Sequence, residues 1–377
     1  MVDPGQPKFS NGFDYLRIVL ALGVLSFHSM EICDDKAAMA FAFGPLGPFV
    51  AMLLLMFFSL SGYLVAGSLD RSKTIEGFLT LRALRIAPAL AVEVLLSALI
   101  LGPVLTVIPL SQYFTSPVTL SYLLNTLGYI HFHLPGVFVN NPHSDVINNS
   151  LWTVPYELDC YVAITVCAAI GLIKYPRLFA LGFTLLWIGM WGGHLIWTHG
   201  AGLPRGIMPG ELLVVSFLAG ILLQICGPWI IRSAWVALIC IFLCYVLLRF
   251  NQTKMLSVLP AAYLTIWLGL LDPQRIPILL DGDYSYGVYL FGYPIQQALA
   301  SYSVTASWYV NLPIAVCLSL AYAVFSWHCV EQPILFNKKA AVERAERVGR
   351  AVRRQLAPTI SLLVRVMMRK RATPFDH

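Results

Sequence analysis

Apolar runs of about twenty residues recur through most of this chain, and they limit its possible folds more than any other feature. A run of that length crosses the hydrocarbon core of a bilayer as an α-helix. In lipid every backbone N–H and C=O must be paired inside the segment, which leaves helices or closed barrels. Soluble domains carry about 25% charged residues. Here Asp, Glu, Lys and Arg make up 12% of 377 residues and hydrophobic residues 58%, which excludes an ordinary soluble protein. The spacing predicts an all-α, polytopic integral membrane protein of about ten spans. These are 13–30, 48–67, 88–110, 151–173, 178–197, 211–226, 234–249, 255–271, 284–300 and 309–330. Residues 1–12 read as a disordered N-terminus, 13–331 as one transmembrane domain and 332–377 as a basic tail.

The net charge of +6 is concentrated in segments flanking the apolar runs, which argues for membrane topology and against nucleic acid. With ten spans and a cytoplasmic N-terminus, only Lys36, Arg205, Arg249 and Lys254 among the cations fall on the outer side, and both termini are cytoplasmic. In the tail, Val342, Ala345, Val348, Val352 and Leu356 recur at helical spacing between basic residues. That pattern suits an amphipathic helix on anionic membrane lipids, or else a basic tail that only sets topology. The eight cysteines form no C-x-x-C pair and lie mostly in apolar runs, so neither a disulfide framework nor zinc is expected. Arg17 interrupts the first run and no small-residue cleavage site follows, so the first helix is expected to stay in the mature protein.

Ionisable groups at membrane depth are costly and normally face a bundle interior or a wet cavity. Arg17 and His28 stand eleven positions apart in the first run. At 100° per residue that returns them to within about 20° of one face, about 16 Å apart along the axis. A neutral-pH imidazole there suits a general base; the plainer reading is a topology-setting Arg and a His bonded to a neighbouring helix. Arg82 and Arg85 share a face at i,i+3. Their guanidinium forks suit phosphate groups, although arginines flanking a span are also ordinary positive-inside residues. In NNSLWTVPYELDCY, Glu157 lies four residues before Tyr161, and it is placed to orient or charge-stabilise His28, or to be an interfacial carboxylate near Arg205 or water. His131, His133 and His143, in a long connection over 111–150, lack a fourth ligand and read as solvated loop residues, with no metal.

Together these segments resemble the membrane-bound acyltransferase-three family, whose members O-acylate cell-surface glycans and related acceptors. The likeness runs from Phe13 to Glu331. It rests on FDYLR leading into the Arg17–His28 spacing, FFSLSGYL with Ser61 and Gly62, the R-x-x-R of Arg82 and Arg85 followed by Pro88, SLWTVPYELDCY, YSYGVYLFGYP, and VEQP at the end of the last run. Two positions depart from the family's usual pattern: Leu55, where an aspartate is common, and Gly292, where a histidine is common.

The resemblance implies an acyl-CoA donor, usually acetyl-CoA, held at Arg17, Arg82 and Arg85. It also implies His28 and Glu157 as catalytic, and Trp152, Tyr161 and Ser61 as substrate-binding. The acceptor would be a carbohydrate hydroxyl on an exported polysaccharide, lipid-linked glycan or lipochitooligosaccharide, at a bacterial inner membrane. The competing class is a polytopic transporter or exporter of a small anionic or glycolipid substrate. Such proteins commonly show pseudo-symmetric halves, and the sequence shows none.

Overall fold

The computed structural model describes residues 11–202, 208–277 and 282–371, with side chains as far as Gln355, Pro228 excepted. The expected disorder of the N-terminus therefore falls largely outside the described residues, as does Arg205. Among the described residues there is no β-strand, and extended backbone pairs only at an isolated bridge between Thr106 and Val137.

Helices stand at all ten predicted spans, but they are unequal. Five are long and apolar enough to cross a membrane: α1 (Asn11–Cys33), α3 (Gly47–Arg71), α4 (Ile75–Leu105), α6 (Pro176–Trp197) and α11 (Trp308–Phe336). A short helix, α2 (Asp35–Phe43), joins α1 to α3. The other five are shorter: α5 (Val154–Ala169), α7 (Gly210–Ile225), α8 (Ala234–Arg249), α9 (Val258–Gly269) and α10 (Tyr284–Ala300).

The largest boundary difference concerns α4, expected to begin at Pro88. It begins at Ile75, where the Thr74 hydroxyl accepts from the Gly77 N–H at 3.1 Å and Glu76 occupies the first turn. A side-chain cap and an acid in that turn satisfy and complement the free N–H groups of a helix start. Pro88 lies inside the helix. Its missing N–H is costly in a soluble helix but tolerable where neighbouring helices pack round the freed carbonyl. Arg82 and Arg85 are consequently carried on a rigid helix within the bundle.

Small residues let the helices approach. A Cβ added at Gly62 of α3 would strike the Phe217 carbonyl of α7, and one at Gly220 of α7 would strike the Ser59 carbonyl. This is the close backbone contact that small residues permit when lipid supplies no hydrophobic driving force between helices. Gly292 meets a side chain instead: a Cβ there would come within 2.5 Å of a Leu25 methyl of α1, so a histidine at this position would require Leu25 to shift. Leu55 is fully buried in the apolar core, where an unpaired aspartate would be costly.

A buried polar knot joins α1, α10 and α11. Gln296 Nε2 donates to the Leu25 carbonyl at 2.7 Å and to Ser29 Oγ at 2.6 Å, while Asn311 Nδ2 donates to the Gln296 carbonyl at 3.0 Å. Ser29 directly follows His28, so the knot holds that end of α1.

The connection over 111–150 is a folded cap. It contains short helices Leu110–Thr115 and Pro117–Leu123 and buries Tyr113, Tyr122, Val137 and Ile147. His131 and His133 bond the Tyr129 and Asp145 carbonyls through Nδ1, at 3.0 and 2.8 Å.

The tail forms α12 (Lys338–Arg371), and its first half docks on the start of α4. Thr74 Oγ1 donates to Glu346 at 2.7 Å, and Arg353 pairs with Glu76.

Candidate active site

Two cavities open beside α1, one at each end of the Arg17–His28 face. The first, about 460 Å³, is lined by His28, Glu31, Trp152, Asn149, Arg249 and Lys254 among others. The second, about 120 Å³, is lined by Arg17, Arg82, Arg85, Ser61, Glu157 and Tyr161, with Asp283, Tyr286 and Tyr289. Leu54 of α3 lines both, so the chambers share a wall. Consecutive residues of the turn Asn149–Thr153 divide between them, Trp152 facing the first and Thr153 the second. Six of the eight residues singled out in the sequence thus meet in the arginine chamber, and His28 and Trp152 meet in the other.

Helical periodicity accounts for part of this. Arg17 and His28 lie on one face of α1, so a bundle that buries that face places one group at each end. The grouping of Glu157 was not expected. It accepts the Tyr161 hydroxyl at 2.7 Å and faces the arginines, and no hydrogen bond joins it to His28. Because α5 begins only at Val154, Glu157 sits in its first turn, beside the arginine chamber.

The three arginines differ in their partners. Arg17 Nη1 meets Asp283 Oδ2 at 2.9 Å and Asp14 at 3.6 Å. Arg85 pairs with Asp283 and, through Nη1, with Glu331 Oε2 at 3.0 Å. Its guanidinium lies over the Tyr286 and Trp327 rings, 5.6 and 5.9 Å from their centroids. Arg82 has no carboxylate within 4.0 Å among the described residues: Nη2 donates to Ser68 Oγ at 3.2 Å, and the buried Nε has no partner. Arg82 therefore has a buried donor to spare. Burial alone would raise the Asp283 carboxyl, but Arg85 and Arg17 outweigh it and hold the group down at about 2. Asp283 remains an anion between two cations.

His28 packs its ring edge-on against Tyr293, with centroids 5.0 Å apart. The wall that carries Trp152 is fixed from behind. Asn148 caps its turn by accepting from the Ser150 N–H at 3.1 Å, and its Nδ2 donates to Glu93 at 2.9 Å and to the Leu290 carbonyl at 2.7 Å. Ser97 donates to the same Glu93 oxygen at 3.0 Å.

Asp283, Glu331, Glu93, Gln296 and Glu31 have no role assigned by their spacing in the sequence. Each is an ionisable or amide residue inside or beside an apolar run, and that was the available signal. Asp283, Glu331 and Gln296 find partners 246 to 271 positions away, so spacing could not supply them.

A helical membrane bundle with an arginine chamber and a histidine chamber sharing one wall is the frame on which the sequence comparisons fall. Residues 10–329 match the Acyl_transf_3 family, described as an acyltransferase domain, and the chain belongs to that family. It is similar to an O-acetyl transferase of Shigella phage Sf6, 26% identical over 361 residues that cover 86% of this chain and 96% of the relative. It is also similar to Nodulation protein 10 of Rhizobium leguminosarum bv. viciae, 24% identical over 367 residues, 89% of this chain and 95% of that one. No solved structure matches it significantly.

Proposed function

We propose that the protein is an O-acyltransferase that moves an acyl group, acetyl in the first instance, from acyl-CoA to a hydroxyl of a carbohydrate acceptor. One observation carries this reading: the arginine chamber and the His28 chamber lie on either side of the Leu54 wall. Phosphates of the donor suit the arginine chamber, where Arg82 offers a buried N–H that no carboxylate engages, beside Arg17 and Arg85 in their ion pairs with Asp283 and Glu331. The thioester end then belongs at the His28 side. The acceptor oxygen attacks the thioester carbonyl carbon, His28 takes the hydroxyl proton, and the C–S bond breaks as coenzyme A leaves as thiolate, which collects that proton. The name of the phage relative supports O-acetylation. The acceptor is read as an exported polysaccharide, a lipid-linked glycan or a lipochitooligosaccharide, and the site as a bacterial inner membrane with both termini cytoplasmic.

The test compares surface glycans by mass spectrometry in cells with the gene, without it, and with His28→Ala. Loss of an O-acyl mass increment in both the deletion and the His28→Ala strain supports the reading; identical glycans in all three strains refute it.

A further inference from the structure

Three charged groups in the His28 chamber have no part in the mechanism above: Glu31, Arg249 and Lys254. Glu31 stands three positions after His28 on α1, hence on the same helix face. It lines the same cavity, and its Oε2 is buried with no hydrogen-bond partner among the described residues. A buried carboxylate oxygen without a donor is expensive, so the site is built for something that brings one. Arg249 is anchored through Nη1 to the Gly44 carbonyl at 2.8 Å, which holds a cation on the wall of the same chamber.

A cavity holding both a carboxylate and cations discriminates among ligands. An acyl chain would leave the open Glu31 oxygen without a donor. A simple anion would suit Arg249 and Lys254 but be repelled by Glu31. A polyhydroxylated ring fits all of them, because each hydroxyl both donates and accepts. Trp152 supplies an apolar face in the same chamber.

We infer that Glu31 is an acceptor-binding residue: its open carboxylate oxygen takes hydrogen bonds from hydroxyls of a polyhydroxylated acceptor and so presents the reacting hydroxyl to His28. The inference rests on the reading of the His28 chamber as the acceptor side of an acyltransferase.

The experiment uses membranes containing the full chain, radiolabelled acetyl-CoA, and alkali-deacylated surface glycan from cells lacking the gene as acceptor probe. Glu31→Gln keeps the size of the side chain and removes its charge. It is expected to raise acceptor KM about tenfold or more while donor KM stays within about twofold. Glu31→Asp, which keeps the charge on a shorter arm, is expected to recover part of the acceptor affinity. Acceptor KM unchanged in both Glu31→Gln and Glu31→Ala, with His28→Ala inactive, overturns the role of Glu31 and leaves the acyltransferase reading standing. A rise in donor KM in place of acceptor KM overturns it equally. Undiminished transfer by His28→Ala overturns the underlying reading instead.

Discussion

The Tyr161 hydroxyl donates to Glu157 Oε1 at 2.7 Å, one helical turn apart on α5, and both side chains face the arginines rather than His28. Glu157→Gln retains an acceptor for Tyr161 but removes one negative charge from the chamber. The expected result is a changed donor KM, with acceptor KM and the pH–rate limb between pH 5 and 8 left in place. A limb that moves downward would put Glu157 in electrostatic contact with His28 and refute this grouping.

His28→Ala removes the only imidazole that lines either chamber among the described residues and introduces no charge. Turnover is expected to fall by about 10²–10⁴, the usual cost of losing a general base. Donor affinity should persist, because the arginine chamber is untouched. Titration of the purified variant with coenzyme A, beside its turnover, separates the two effects.

Arg82 and Arg85 are adjacent on one face, yet their substitutions should differ in kind. Arg82→Ala removes a guanidinium that no carboxylate engages, so the fold should hold while donor affinity drops by about 1.5–3 kcal/mol, or roughly ten- to a hundredfold. Arg85→Ala leaves Glu331, only 1% exposed, with the Ser326 hydroxyl but without its cation, and weakens the hold on Asp283. Removing one partner of a buried ion pair typically costs about 3–5 kcal/mol. Thermal unfolding in detergent should therefore shift strongly for Arg85→Ala and little for Arg82→Ala. Arg85→Lys should not restore stability, because an ammonium lacks the planar fork that spans two carboxylates. Equal melting temperatures for both alanine variants would contradict the division of roles.

Glu93 is fully buried and collects Ser97 and Asn148, and through Asn148 it steadies the turn that carries Trp152. Glu93→Ala leaves two donors without their acceptor, at a cost of about 1–3 kcal/mol each where no replacement is found. Glu93→Gln keeps the accepting oxygen and should retain most of the stability. Limited proteolysis of the 111–150 cap reads the difference: faster cutting in the alanine variant only is the expected pattern. Equal rates in all three proteins would show that the cap does not depend on Glu93.

The sequence by itself determined that this chain is a helical bundle for a membrane. Runs of apolar residues admit few other solutions in lipid, and the 3.6-residue period alone sets Arg17 and His28 on one face of α1. Its motifs also marked the segments that carry the site. Tertiary structure decided which partner each face meets. Asp283 reaches Arg17 across 266 positions and Gln296 reaches Leu25 across 271, and such pairings depend on how helices pack, which periodicity does not encode. It likewise decided that Glu157 joins the arginines and that Glu31 is the carboxylate in the chamber of His28. The start of α4 lies between these cases. Thr74 and Glu76 spell a helix start in the sequence, but Pro88 spells another, and only packed neighbours allow a helix to run through a proline.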